Sequence, residues 1–423
     1  MSEVDVVTES SHVAIKERTA DILIAIPTFN NEDTVSNVLR AARTALFQFS
    51  KSKALIVHVD GGSTDSTMKR AKDSLDGEGV LAQVSYPVYP HQFGVSHHSL
   101  PGRDSAYRTI FSLAGEVDAK VCCIVDCGTT VTPDWVSALI QPVLEMEFDL
   151  VAPFYKRHKY DGVLVNGMLY PVARALFGKR LRQPIGGDAG YSRTLIRKIL
   201  PLETWTTAAA RRDVSLWLSI QALLQDMKIC QVRLGARPRP PRDMGQDISS
   251  ILADLTGALY LGMEQTADLW QRVRGSTTVP TFGLRIDPET GGNVPDTKPL
   301  VEAFRIGCKN LQDLWQYVLP PATLLEFKRM SRQNDREFRF SRELWARVVY
   351  DFAVAFRLRA MGQEHLLRTL TPLYMGWVAS YILSIEEADA DQVEKEIEKV
   401  CMAYEAEKPY LISRWRWPDR FMP

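Results

Sequence analysis

The run Val121-Cys122-Cys123-Ile124-Val125-Asp126 constrains this chain more than any other stretch. Five apolar residues in succession leave no polar face for water. The segment therefore reads as a strand buried on both sides, as in the parallel sheets of α/β domains. It ends on a carboxylate, and open α/β sheets place their ligand chemistry beyond the carboxyl ends of their strands. Farther on, Thr132 offers an N-cap oxygen and Pro133 a preformed first turn, which predicts a helix from that point. Asp126 fits two roles, a site residue or a carboxylate that caps the turn, and these residues alone leave both open.

Two strand–turn–helix units precede this run. Ile22–Ile26 leads into Pro27-Thr28-Phe29-Asn30-Asn31-Glu32, followed by apolar residues at helical spacing (Val35, Val38, Leu39, Ala42, Leu46). Ala54–Asp60 leads into Gly61-Gly62-Ser63-Thr64-Asp65 and another helix. Glycines and hydroxyls at such a junction suit the sugar or phosphate of a nucleotide, although any tight strand-to-helix turn wants the same residues. From Asp247 the pattern turns helical, with stripes such as Leu344, Val348, Val349, Phe352 and Phe356. These stripes are core.

With 423 residues, the chain has room for two or three domains. The expected division is a flexible tail over 1–20, an α/β domain over 21–245 and a mainly helical region over 246–423, with an irregular connection near 276–293. Lys plus Arg and Asp plus Glu each number 51. A formal charge of zero argues against partners held by a polyanion or membrane field, so neither nucleic acid nor a membrane is expected. The six cysteines form no CxxC pair, and Cys122, Cys123 and Cys127 crowd one strand end, which favours a reducing cytoplasm. No apolar h-region opens the chain and no uncharged apolar stretch reaches about 18 residues, so neither a signal peptide nor a membrane span is expected.

In order, the turn at Pro27–Glu32, the turn Asp60-Gly61-Gly62-Ser63-Thr64-Asp65, the segment Pro101–Arg108 and Asp126 resemble GT-A nucleotide-sugar glycosyltransferases. Arg157–Gly162, Gln183-Pro184-Ile185-Gly186-Gly187-Asp188-Ala189-Gly190-Tyr191-Ser192 and Arg211–Trp217 resemble the glucosylglycerate and mannosylglycerate synthase branch. The resemblance implies a Rossmann-like, mostly parallel sheet flanked by helices, with a helical C-terminal region that helps form a homodimer. It implies transfer of a hexose, with glucose the sugar expected, from a nucleotide sugar to glycerate or a similar small hydroxy acid. The anomeric configuration would be retained by front-face attack, the leaving phosphate helping to take the acceptor proton. Pro27, Thr28, Asn30, Asn31 and Asp60 would hold the base and ribose, and Arg103 stands where the family carries a Lys near the diphosphate. Gly186, Gly187 and Asp188 would lie beside the transferred sugar and acceptor, and Asp213 near the reaction centre. Arg182, in a basic cluster with Lys179 and Arg180, and Asn166 are further candidates for the acceptor; a solvated basic turn and a packed segment are the plainer alternatives.

The chain departs from the family at its metal, usually Mg or Mn. Asp126 matches the first carboxylate of the family's DxD motif, but the second position is Gly128, and the family's His ligand is replaced by Arg239. His97, His98 and His158 lack the spacing of a metal site. Losing one anion and gaining one guanidinium adds the two positive charges that the ion would have supplied, and a guanidinium matches phosphate bidentately. Two expectations follow: a metal-independent transferase in which Arg239 and Arg103 replace the ion, or a catalytically degenerate protein that senses nucleotide sugars or acts as a scaffold.

Overall fold

The computed structural model describes residues 19–74, 81–86, 100–128, 130–236, 248–284 and 288–418. Most of the expected tail, His97, His98 and Arg239 lie outside them. Contacts group the described chain into two compact units. The first holds the residues up to Pro153 and Gly186–Val232; the second holds Phe154–Ile185, residues 233–236 and the chain from 248 on. Residues 154–185, inside the stretch 21–245 expected as one α/β domain, group with the C-terminal helices.

The first unit is a succession of strand–helix pairs: β1 (Ile22–Thr28), α1 (Val35–Leu46), β2 (Ala54–Asp60), α2 (Thr67–Ser74), β3 (Leu81–Ser85), α3 (Arg103–Glu116), β4 (Val121–Ile124), α4 (Pro133–Met146) and β5 (Leu150–Lys156). After α5 (Tyr170–Phe177) and β6 (Lys179–Arg180) of the second unit come β7 (Ala189–Ser192), α6 (Arg193–Ile199), α7 (Ala208–Arg212), α8 (Val214–Leu224) and β8 (Ile229–Ala236). The main sheet has the order β10-β8-β5-β7-β4-β1-β2-β3, with β10 at Thr281–Phe282. Strands β1, β2, β3 and β4 pair in parallel, while β7 is antiparallel to β4 and β5. β4 is buried along its whole length, as its apolar run requires. Thr132 caps α4, its hydroxyl accepting from Trp135 N at 3.3 Å.

Register brings the polar strand ends together. Thr28 is level with Asp60, and Ala25 with Ile124, so Asp126 leaves the sheet where the first two turns do. Because β7 runs the other way, it enters at the edge where β4 exits: Ala189 pairs with Ile124, which sets Asp188 beside Asp126. One antiparallel strand therefore carries a second carboxylate to an edge built by parallel ones.

In the second unit, α9 (Ile248–Gln265), α10 (Ala267–Trp270), α11 (Lys298–Asn310), α12 (Gln312–Trp315), α13 (Pro321–Met330), α14 (Arg342–Leu358), α15 (Gln363–Thr369), α16 (Thr371–Ser384) and α17 (Ala390–Arg416) enclose an aromatic core. Trp345 stacks on Trp377 with ring centroids 5.6 Å apart, and Trp270 meets Trp415 edge-on at 5.2 Å. Every residue of α5 is buried, including Arg174, whose guanidinium is held by Glu398 at 2.6 Å and Glu405 at 2.9 Å on α17. The connection expected to be irregular carries β9 (Thr277–Thr278), which pairs with β6, and β10. Among the described residues no helix is long and apolar enough to cross a membrane.

Candidate active site

The turns after β1 and β2 are laced together around one carboxylate. Asp60 Oδ1 accepts from Thr28 Oγ1 at 2.8 Å and Ser63 Oγ at 2.6 Å, and Oδ2 accepts from the backbone N–H of Gly62 at 2.9 Å and Ser63 at 2.8 Å. Since Thr28 spends its proton on Asp60, its oxygen accepts at 2.7 Å from His58 Nε2, and His58 Nδ1 accepts from Gln83 Nε2 at 3.2 Å. The ring is thus neutral with its proton on Nε2. Burial holds its pKa down at about 4, against the raising effect of Asp60. Asn30, at φ 53°, donates its backbone N–H to Ser63 Oγ, while its side-chain oxygen accepts from Thr64 N at 2.8 Å. Asn31 N donates to Thr67 Oγ1 at 2.7 Å. A Cβ on Gly61 would lie 2.4 Å from the hydroxyl of Tyr86, which is bonded to Pro101 O; only glycine fits there.

A carboxylate offers about four acceptor positions. Asp60 uses four within the protein, so a base or ribose contact to it must exchange with one of these bonds. The N–H and hydroxyl groups of its turn were the weak sequence signal; the structure shows that they first organise the turn itself.

A second constellation forms around Arg103, at the start of α3. Its Nη2 donates to Gly186 O at 2.9 Å and lies 3.0 Å from the hydroxyl of Tyr107, which donates to Gly187 O at 3.2 Å. Among the described residues its buried Nη1 has no hydrogen-bond partner. Burial works against the charge on this guanidinium, but Tyr107, Asp213 and Asp126 hold its pKa above the ordinary arginine value. Burial pushes Tyr107 up to about 12, held down in part by the Arg103 guanidinium and raised further by Asp126 and Asp188. Asp126 N donates to Asp188 Oδ1 at 2.8 Å, and Gly128 N to Asp126 Oδ1 at 3.0 Å. A Cβ on Gly187 would sit 2.3 Å from Asp126 Oδ2, so the absence of a side chain there is what lets the carboxylate pack against the turn.

Asp213 joins through Ser215. Asp213 Oδ1 accepts from Ser215 Oγ at 2.6 Å and from Leu216 N at 2.7 Å, and Ser215 Oγ accepts from Gly186 N at 3.3 Å. Asp213 is therefore the N-cap of α8 and is also tied to the Gly186-Gly187 turn. Arg103, Asp126, Gly186, Gly187, Asp188 and Asp213, expected from sequence at one site, come together in the first unit. Tyr107 and Ser215 were missed. Tyr107 lies four residues after Arg103 on one helix face, a spacing that could have revealed it; Ser215 carried no signal beyond its place two residues after Asp213.

The other described residues singled out from the sequence fall in the second unit. Arg182 and Asn166 lie in the second unit, with Gly186 and Gly187 in the first. Arg182 is buried, its guanidinium bonded to Asn166 Oδ1 at 2.6 Å and Glu394 at 3.0 Å, so it is not a solvated basic turn. Lys179 and Arg180 form strand β6. His158 is a loop residue whose ring lies 2.5 Å from Gly291 O.

The described residues do not fit a resident divalent ion. No three of His, Cys, Asp or Glu among them converge as a ligand set. Gly128 supplies no donor, and the Asp126 carboxylate sits in the field of the Arg103 guanidinium.

Residues 23–201 match the model of Glycosyl transferase family 2. That match and the mostly parallel sheet identify the fold as GT-A, carrying a helical C-terminal region. No curated protein sequence matches the chain. The solved structure of glucosyl-3-phosphoglycerate synthase from Mycobacterium tuberculosis in complex with phosphoglyceric acid is 20% identical, covering 59% of this chain and 80% of that one, with a TM-score of 0.41. The structure of the same enzyme with Mn2+ and uridine-diphosphate-glucose is 20% identical over 59% of this chain and 79% of that one, also at 0.41.

Proposed function

We propose that this chain is a retaining glycosyltransferase that moves a hexose, glucose first among them, from a nucleotide sugar to glycerate or a similar small hydroxy acid. One observation carries the reading. Arg103 is pinned by the Gly186 carbonyl and by Tyr107, and its buried Nη1 has no acceptor among the described residues. A guanidinium fixed in this way, kept charged by Asp213 and Asp126, can donate to a diphosphate whose charge grows as it leaves.

In the transfer, the acceptor hydroxyl oxygen bonds to the anomeric carbon as the bond from that carbon to the phosphate oxygen breaks. The electron pair leaves with the nucleoside diphosphate, and the hydroxyl proton passes to its phosphate oxygen. Arg103 and, in this proposal, Arg239 stabilise the leaving charge. Asp213 and Asp188 orient the sugar and acceptor against the Gly186-Gly187 turn; Pro27, Thr28, Asn30, Asn31 and Asp60 hold the nucleoside. The cysteines with described surroundings are all free thiols, which suits the cytoplasm as the place of work. A homodimer belongs to the same proposal, checked by light scattering.

A second reading, a nucleotide-sugar sensor or scaffold without turnover, is favoured by Gly128 and by the internal bonds that fill Asp60. The two separate on incubation of purified protein with a panel of nucleotide sugars and glycerate. Released nucleoside diphosphate supports the transferase; saturable nucleotide binding without release supports the sensor; no binding leaves the scaffold.

A further inference from the structure

The transfer proposed above needs two groups at a fixed spacing, the turn around Asp60 for the nucleoside and the Arg103 guanidinium for the diphosphate. Arg103 is the first residue of α3. The N-cap before it is Gly102, at φ 61°, which has no side chain to accept from the first turn. The stem of Arg103 therefore sits where the segment before the helix puts it.

Tyr86 holds that segment. It lies just beyond β3, and its backbone N–H donates to Asp60 O at 3.1 Å, which fixes it to the strand that carries Asp60. Its hydroxyl donates to Pro101 O at 2.8 Å, two residues before Arg103. The side chain is buried and passes so close to Gly61 that a Cβ there would lie 2.4 Å from the hydroxyl oxygen and 2.7 Å from ring carbon Cζ. One residue thus touches Asp60, the glycine after it and the entry to α3. Burial pushes the phenol far above its ordinary pKa, Asp60 and Asp104 push it further and Arg103 lowers it, so the hydroxyl keeps its proton for Pro101.

We propose that Tyr86 is a positioning residue, which sets the Arg103 guanidinium at the spacing from the Asp60 turn that a nucleoside diphosphate requires. The proposal rests on the transferase reading for what the two ends bind. With its proton on Pro101 and its ring against Gly61, Tyr86 acts through Arg103 and not on the ligand. A buried carbonyl that loses its donor must shift to find another, and Arg103 shifts with it.

Titration calorimetry on the full chain, with uridine diphosphate and guanosine diphosphate as probes, compares the natural protein with Tyr86→Phe, Arg103→Ala and the double variant. Phenylalanine keeps the ring against Gly61 and withdraws only the donor to Pro101 O. For whichever diphosphate binds the natural protein more tightly, Arg103→Ala should weaken binding by about tenfold or more, as loss of a hydrogen bond from a charged group does. Tyr86→Phe should weaken it by about fivefold or more on its own, but by less than about twofold when added to Arg103→Ala, because coupled residues are not additive. Gly61→Ala drives the tyrosine hydroxyl off Pro101 by a second route, and it should show the same loss and the same dependence on Arg103. Tyr86→Phe and Gly61→Ala that bind as the natural protein does, or that weaken binding by the same factor with and without Arg103, overturn the inference and leave the transferase reading standing. If neither diphosphate binds the natural protein, or if Arg103→Ala binds as tightly as it does, the transferase reading fails and the inference fails with it.

Discussion

Replacing Gly187 with alanine tests the active-site geometry more sharply than removing a charged group. The added methyl would lie 2.3 Å from Asp126 Oδ2, 2.5 Å from its Cβ and 2.7 Å from its Cγ. Comfortable contacts begin near 3.5 Å, so the methyl and the carboxylate must part by about 1 Å. Neither side is free to give. Asp126 is held through its backbone by Asp188 and through Oδ1 by Gly128 N, while the Gly187 carbonyl is held by Tyr107. Overpacking of this kind costs about 1–3 kcal/mol of stability, and a misplacement of about 1 Å at a reacting centre costs roughly 100-fold in rate. Gly128→Ala is the control, because a Cβ there meets Asp126 Oδ1 at 3.4 Å, an ordinary contact. Its stability should stay within about 0.5 kcal/mol of the natural protein. Both variants are assayed by thermal melting and by release of nucleoside diphosphate from the donor. Wild-type turnover in Gly187→Ala, or equal damage from Gly128→Ala, would refute the placement of Asp126 against this turn.

Asp213→Asn keeps an oxygen for Leu216 N and Ser215 Oγ, and so keeps the cap of α8, but removes the charge that orients the substrates; the rate should fall about 100-fold with little change in melting temperature. An unchanged rate would leave Asp213 a cap only. Transfer should be indifferent to a chelator, and Gly128→Asp combined with Arg239→His should create a dependence on manganese; loss of natural activity on chelation, restored by manganese, would contradict this. His58, held at about 4 when folded, takes up its proton first in the unfolded chain as pH falls below about 6.5. Its share of stability is therefore complete above pH 6.5 and declines toward pH 4 by about 3 kcal/mol. Urea titrations of the natural protein and His58→Gln over that window should differ by this slope, and parallel curves would show that the ring is not held neutral.

The parts of the fold legible in sequence were those governed by local rules. The apolar run of β4, the Thr132 cap and the alternation of strand and helix through β2 all reflect neighbours in the chain. What escaped depended on distant partners. Residues 154–185 look like a continuation of the α/β pattern, yet α5 is buried on all sides, and Arg174 inside it is satisfied by Glu398 and Glu405, more than two hundred residues away. The same holds for Arg182, whose guanidinium is held by Glu394 from 212 residues away. At the site, the aspartates and glycines were visible as residue types at strand ends. That Gly187 must lack a side chain to admit Asp126, or that Ser215 links Asp213 to that turn, depends on β7 running antiparallel beside β4. No spacing in the sequence announces this reversal.

The central claim is that Arg103 and the aspartates around it catalyse transfer of a sugar from a nucleotide. Its most direct measurement is the release of nucleoside diphosphate by the purified, chelator-treated chain, with nucleotide-glucose as donor and glycerate as acceptor, alongside Arg103→Ala. The account predicts saturable, acceptor-dependent release in the natural protein and a loss of roughly 100–1,000-fold in the variant, as when a donor to developing negative charge is removed. Nucleotide binding without release from any nucleotide sugar, or release that Arg103→Ala leaves intact, would contradict it.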